Sequence, residues 1–254
     1  EGYFVLERVI PDDVLAMLRE ECATFVAAMD ARMDRLGTPT IDLNHRGSRY
    51  FISKQYRRSG RLRSFLFGAL MAEVAEAALG PEAFLFNEQW VVKGADRGMK
   101  FAWHQDSGYI RHDDPTNRHA PYLTCWCPLD DVTTENGAVH LLPHSRGGTR
   151  DTVFDHVREA GTNDLVGYRG DDPGVEMTAP AGSIVAFTSY NLHRSGANRT
   201  ASARRVYLAQ YSSHPITATD GTLWAMAVPF LRDGGVVYDA AGDSAERFGP
   251  LPGR

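Results

Sequence analysis

The sequence predicts a mainly β protein with α-helices at its front, and three observations carry that expectation. Two amphipathic helical segments open the chain, short β-like runs separated by turn residues follow from residue 83, and no alternating strand–helix rhythm appears. A single domain over 1–254 is expected: a helical front portion at 1–82, a β core at 83–215 and a C-terminal extension at 216–254.

Residues 1–10 (EGYFVLERVI) read as a short strand. Pro11-Asp12-Asp13 then supplies a helix start, with proline early and acids in the first turn. Val14, Leu15, Leu18, Cys22, Phe25, Val26 and Met29 recur at three- and four-residue steps, which predicts a helix to about Met33. A second helix is expected over 62–80, stopped by Gly80-Pro81. Strands are expected at 84–93, 99–104, 122–129, 138–142, 174–178, 183–188 and 205–211. Such short strands with Gly, Pro, Asn and Asp between them suggest an antiparallel sandwich, barrel or jelly roll. Segments 111–121 and 145–173 read as mobile loops.

Composition narrows the function. Net charge is −5, which disfavours a nucleic-acid binder, and no apolar run approaches the roughly 20 residues that span a bilayer. The three cysteines (Cys22, Cys125, Cys127) are odd in number and lack zinc-site spacing. Cys125 and Cys127 share one strand face and read as core residues, in keeping with a reducing, cytoplasmic setting. Neither a dinucleotide loop nor a P-loop is present, and no heptad pattern marks an oligomer.

The chemistry rests on histidines and one aspartate. A His-x-Asp on a strand would put both side chains on one face, and a later histidine can complete two imidazoles and one carboxylate on iron(II), leaving adjacent positions open. Nine histidines and 32 acids in 254 residues produce about one His-x-acid by chance, so the pattern alone is weak. Two candidates occur, His104-Gln105-Asp106 and His112-Asp113-Asp114. The first is flanked by Phe101-Ala102-Trp103 and Tyr109-Ile110, as a half-buried strand edge would be; the second sits in a charged, proline-broken stretch. The third ligand is among His140, His144, His156, His193 and His214; His193 directly follows the strand 183–188 and a short turn. Arg204 and Arg205 then open a strand, pointing to opposite faces, and a buried arginine there would suit a carboxylate. Periodicity does not choose between them.

At these residues the chain resembles the phytanoyl-CoA dioxygenase family of 2-oxoglutarate oxygenases. The matching stretches are GYFVLERVIPDDVLAMLREE (2–21), WHQDSGY (103–109), CPLDDVTTENGAVHLLPHSR (127–146), AGSIVAFTSYNLHRSGAN (181–198) and ARRVYLAQY (203–211). The resemblance implies a double-stranded β-helix (jelly-roll, cupin-like) core with the N-terminal helices packed on one sheet. It implies iron(II) held by His104, Asp106 and His193, with 2-oxoglutarate and O2 as cosubstrates. Arg204 matches the arginine that grips the 2-oxoglutarate tail, Ser195 a helping hydroxyl, and Trp126 and Phe101 fall where that pocket is lined. Asp106 argues against halogenation, for which relatives lack the carboxylate. Pro143-His144-Ser145 departs from the family's usual Pro-Gly-Ser-His without touching the metal set.

The expected reaction is hydroxylation of an unactivated C–H bond of a small polar metabolite, with release of succinate and CO2. Asn87, Gln89, Trp90, Tyr109, Arg111 and His112 are the candidate substrate contacts, with Lys54, Arg57 and Arg58 as a second group. A jelly-roll metal enzyme that does not use 2-oxoglutarate, and a non-catalytic jelly-roll binding module, are the competing readings.

Overall fold

Helix α1 (Asp12–Leu36) begins as its residues require: Pro11 holds the N-cap at φ −57°, and Asp12 and Asp13 lie against the positive end of the helix dipole. Leu15, Leu18, Cys22, Phe25 and Met33 form its buried stripe. Each large apolar side chain so buried contributes about 1.5–3 kcal/mol, enough to hold the helix to the sheet beneath it. Gly37, left-handed at φ 63°, ends the helix one turn past the expected Met33. The computed structural model describes residues 1–95 and 99–248; the expected C-terminal extension thus falls partly outside, at 249–254.

Strand β1 (Tyr3–Leu6) precedes α1, and a small meander of β2 (Thr40–Ile41), β3 (Asn44–His45) and β4 (Arg49–Ser53) follows it, closed by a 3-10 turn at Tyr56–Arg58. The single helix expected over 62–80 is two, α2 (Gly60–Leu66) and α3 (Ala69–Leu79). The chain breaks at Gly68, where a Cβ would lie 2.6 Å from the Ser64 carbonyl oxygen; the close approach makes a corner that periodicity does not reveal. Then come β5 (Ala83–Lys93), β6 (Phe101–His104), α4 (Asp106–Asp113), β7 (Leu123–Pro128), β8 (Val139–Leu142) and α5 (His144–Gly147). The remainder comprises β9 (Val157–Arg158), β10 (Leu165–Val166), β11 (Val175–Met177), β12 (Ile184–Thr188), β13 (Leu192–Ser195), β14 (Arg204–Ser212), β15 (Val228–Arg232), β16 (Gly235–Val236) and α6 (Ala245–Phe248).

Antiparallel pairing builds a larger sheet in the order β1-β12-β7-β14-β5-β4-β3-β2, with β15 also on β5 and β16 on β15, and a smaller sheet β11-β8-β13-β6. The two form the jelly roll, so the fold class expected from sequence is the one adopted. Alternation along the strands sorts two cores. Trp90, Val92, Cys125, Cys127, Tyr207 and Ala209 pack with α1, α2 and α3 on the outer face of the larger sheet. Trp126, Val139, Leu141, Val185, Val206 and Leu208 fill part of the space between the sheets. Among the described residues no helix is long and apolar enough to cross a membrane.

The two segments read as loops are each tied down at one aspartate. Residues 111–113 complete α4, and Asp114 accepts hydrogen bonds from Thr116, Asn117 and Thr219. In the second, Asp164 is ion-paired with Arg49 at 3.0 Å, both side chains being buried, and it also accepts the Ala102 amide at 3.1 Å.

Candidate functional site

His104 ends β6 and stands opposite His193 of β13 in the ladder of the smaller sheet. Their ring centroids lie 4.0 Å apart. Asp106 arrives by another route. It is not on the strand, as the His-x-Asp spacing suggested, but is the first residue of α4, with Gln105 at the N-cap. A carboxylate in that first turn is favoured by the helix dipole. Oδ1 of Asp106 is 3.8 Å from His104 Nε2 and 3.5 Å from His193 Nε2, and the three residues offer donor atoms within 4.8 Å of one another.

Hydrogen bonds behind these groups set their chemistry. His104 Nδ1 meets the Ala102 carbonyl at 2.8 Å, and His193 Nδ1 the Asn191 carbonyl at 3.1 Å. A carbonyl only accepts, so each Nδ1 carries the proton and each Nε2 turns a lone pair toward Asp106. Burial first, and then the closeness of a second imidazole at His193, holds the His104 pKa well below its ordinary value, which favours the neutral imidazole a metal requires. Oδ2 of Asp106 accepts from Thr124 Oγ1 at 2.6 Å and Gln210 Nε2 at 2.9 Å; Gln210 in turn accepts from Asn87 Nδ2 at 2.9 Å. One carboxylate oxygen is thereby anchored and the other faces the histidines.

The segment between the ligands is clamped as well. Gln105 donates to the Thr152 and Tyr190 carbonyls, and its amide N–H donates to His156 Nε2 at 2.9 Å. The His156 ring fits against Gly108 and Gly167, where added Cβ atoms would come within 2.2 Å and 2.4 Å of it.

The triad opens on a cavity of about 1320 Å³ between the sheets. Phe101, Trp126, Ser195 and Arg204 all line it. Phe101 stands edge-on to the His104 ring at 4.5 Å, and the Arg204 guanidinium lies over Trp126 at 5.3 Å. Arg204 is 1% exposed and its Nη2 is bonded to the Gly137 carbonyl at 3.3 Å; Nε and Nη1 are buried without a partner among the described residues. Burial lowers its pKa to about 10, so it remains charged. Beside it in the ladder stands Lys93, buried, bonded to the Gly196 carbonyl, and held well below its ordinary pKa by burial and then by Arg204 and Arg49. Arg205, on the other face, pairs with Asp130 through two charged hydrogen bonds of 2.9 and 2.6 Å. Burying a charged guanidinium without a counter-ion is costly, so Arg204 has the capacity to take an anion from the cavity.

Of the expected substrate contacts, Asn87, Gln89 and Tyr109 line the cavity. Trp90 does not: neighbours on a strand alternate faces, and Trp90 lies in the helix-side core, its ring 4.1 Å from that of Tyr207. Arg111 and His112 are likewise outside the lining, because α4 turns them away; His112 is exposed and donates to the His156 carbonyl. Of the second group, Lys54 and Arg58 line the cavity. Thr124, Gln210 and Lys93 were not foreseen as site residues, and His156, one of the candidate third ligands, instead accepts the Gln105 amide behind the site. For Thr124 and Gln210 strand parity was available as a signal, since each shares a face with Trp126 or Arg204.

A family model described as phytanoyl-CoA dioxygenase (PhyH) matches residues 1–206. An L-proline trans-4-hydroxylase of Streptomyces griseoviridis is 29% identical over 167 residues, 56% of this chain and 62% of that protein. The chain therefore spans less than two thirds of that relative's length. An ectoine dioxygenase of Bordetella parapertussis is 26% identical over 215 residues, 78% of this chain and 67% of that protein. Among solved structures, EvdO2 from Micromonospora carbonacea var. aurantiaca complexed with 2-oxoglutarate is 25% identical, with a TM-score of 0.65 over 88% of this chain and 93% of that one.

Proposed function

The chain belongs to the phytanoyl-CoA dioxygenase family, and from that premise we propose that it is an iron(II)- and 2-oxoglutarate-dependent hydroxylase of a small polar metabolite. The observation that carries this reading is one cavity holding both a His-Asp-His cluster, its histidines buried, and a buried arginine with no counter-ion among the described residues. His104, Asp106 and His193 would hold the iron; two imidazoles and a carboxylate suit iron(II) and are too few protein ligands for a structural zinc. Arg204, with Lys93 beside it, would take the far carboxylate of 2-oxoglutarate, and Ser195, Trp126 and Phe101 would line its path. When bound, the iron would supply oxidising chemistry with O2, one oxygen atom going to succinate as 2-oxoglutarate loses CO2 and the other converting a C–H bond to an alcohol.

The chain's own residues position and shield. Thr124 and Gln210 hold Asp106 in one orientation, and the Ala102 and Asn191 carbonyls fix the imidazole tautomers. Asn87, Gln89 and Tyr109 would meet the substrate. The relatives named for acting on proline and ectoine support a small polar substrate.

The test is an anaerobic titration with iron(II) and then 2-oxoglutarate, following the visible charge-transfer band of the chelate. A band in the wild type, absent in His193→Ala and weakened in Arg204→Ala, is the expected result. Stoichiometric iron without a band would point to a metal enzyme that does not use 2-oxoglutarate, and no iron uptake to a binding module.

A further inference from the structure

A second cation lies on a different stretch of the cavity wall. Lys54 follows β4, lines the cavity and is 8% exposed. Its ammonium forms no hydrogen bond or ion pair among the described residues. Two charged groups act on it, Glu88 and Arg57. Glu88 belongs to the helix-facing side of β5, where its Oε1 accepts the Tyr56 amide at 3.0 Å, and burial lifts its pKa to about 7, so it neutralises Lys54 poorly. Arg57 adds a like charge. Burial lowers Lys54 itself to about 8, which leaves it charged at neutral pH.

The backbone supplies an independent sign. Five described non-glycine residues have positive φ: Arg8, Asp42, Asn163 and Asp233 are exposed, and Lys54, at φ 61°, is buried. Glycine would adopt that conformation without strain, whereas a side chain with a Cβ costs free energy there. A strained residue kept long and charged at the lining of a cavity is a mark of use. Its neighbours are equipped to help. Ser53 Oγ donates to Gln89 Oε1 at 3.2 Å, which leaves the Gln89 amide N–H groups for the cavity.

We propose that Lys54, assisted by the Gln89 side-chain amide, anchors a carboxylate on the substrate to be oxidised. The proposal deepens the oxygenase reading and rests on it. Strand β4 lies two strand positions from β14, the strand whose Gln210 holds Asp106. At the usual strand spacing this separation is about 10 Å. The substrate is therefore a small acid whose oxidised carbon lies within roughly that distance of its carboxylate.

The experiment loads the protein with Ni(II), as a redox-inert stand-in, and with 2-oxoglutarate. It is then titrated calorimetrically with small aliphatic and cyclic carboxylic acids, each paired with its primary amide. Acids from the panel should bind in preference to their amides. Lys54→Met should weaken acid binding by roughly 10- to 100-fold, as loss of a charged hydrogen bond does, and Lys54→Arg should retain most of it. Uptake of 2-oxoglutarate should be unchanged in both variants. Equal binding of acids and amides, undiminished acid binding in Lys54→Met, or no acid binding across the panel would overturn the proposal alone. Failure of the wild type to take up 2-oxoglutarate would overturn the oxygenase reading and this proposal with it.

Discussion

His104-Gln105-Asp106 and His112-Asp113-Asp114 carry the same His-x-Asp pattern eight residues apart, at the two ends of α4. The first histidine is buried, neutral and backed by a carbonyl, and its aspartate is held by Thr124 and Gln210. The second histidine is exposed, and its partner Asp114 is a loop staple whose acceptor capacity goes to Thr116, Asn117 and Thr219. The hydrogen bonds to Asp114 hold its pKa down to about 2, so it is fully ionised yet committed elsewhere. The difference teaches that a ligand pattern becomes a site only when other elements bring a third donor and fix the first two.

Removing a member of the first set should have the largest effect. Asp106→Ala or His193→Ala should abolish stoichiometric iron binding, a loss beyond the roughly 100-fold associated with outer partners; retention of iron in both, by metal analysis, would sink the assignment. Arg204→Met comes next. It should weaken 2-oxoglutarate by about 2–5 kcal/mol, while stabilising the ligand-free fold by on the order of 1–2 kcal/mol because an unpaired buried charge is gone. Opposite signs in the binding and melting measurements are what separate a functional cation from a structural one.

Burial alone does not make a ligand, and Glu88 shows it. This fully buried carboxyl faces the helices, and burial raises its pKa from 4.5 to about 7. The folded state then holds a proton that the unfolded chain releases between those values, so the contribution of Glu88 to stability is greatest below pH 4.5 and falls as pH rises to 7. The loss is on the order of 3 kcal/mol. Glu88→Gln should flatten that slope in pH-dependent melts without changing iron affinity; an unchanged slope would refute the account. Gln210→Leu should cost roughly 10- to 100-fold in iron affinity by releasing Asp106. Least of all, His112→Ala should leave iron binding intact and stability within about 0.5 kcal/mol. A larger loss would mean that the second pattern matters after all.

What the sequence determined by itself is whatever a local period reports. The three- and four-residue recurrence in α1, the alternation that sends Cys125 and Cys127 one way and Trp126 the other, and the stop at Gly80 were all legible. So was the identity of the metal-site candidates, once the flanking residues and the family resemblance were weighed. Tertiary structure decided what periodicity left open. Arg204 rather than Arg205, the choice the resemblance implied, faces the cavity, and Asp130, 75 residues earlier than Arg205, pairs with the latter on the outer face. Trp90 joined the helix-side core, and Gln89 the cavity, because of which sheet face the helices cover. Gly68 broke one expected helix into two through a contact that no periodicity encodes. Asp106 reached the histidines from a helix N-terminus rather than along a strand. For the strand residues the physical reason is shared: periodicity tells which residues share a face, whereas what that face meets depends on pairings between distant segments; at Gly68 and Asp106 it is a local turn of the backbone that a face-counting period does not register.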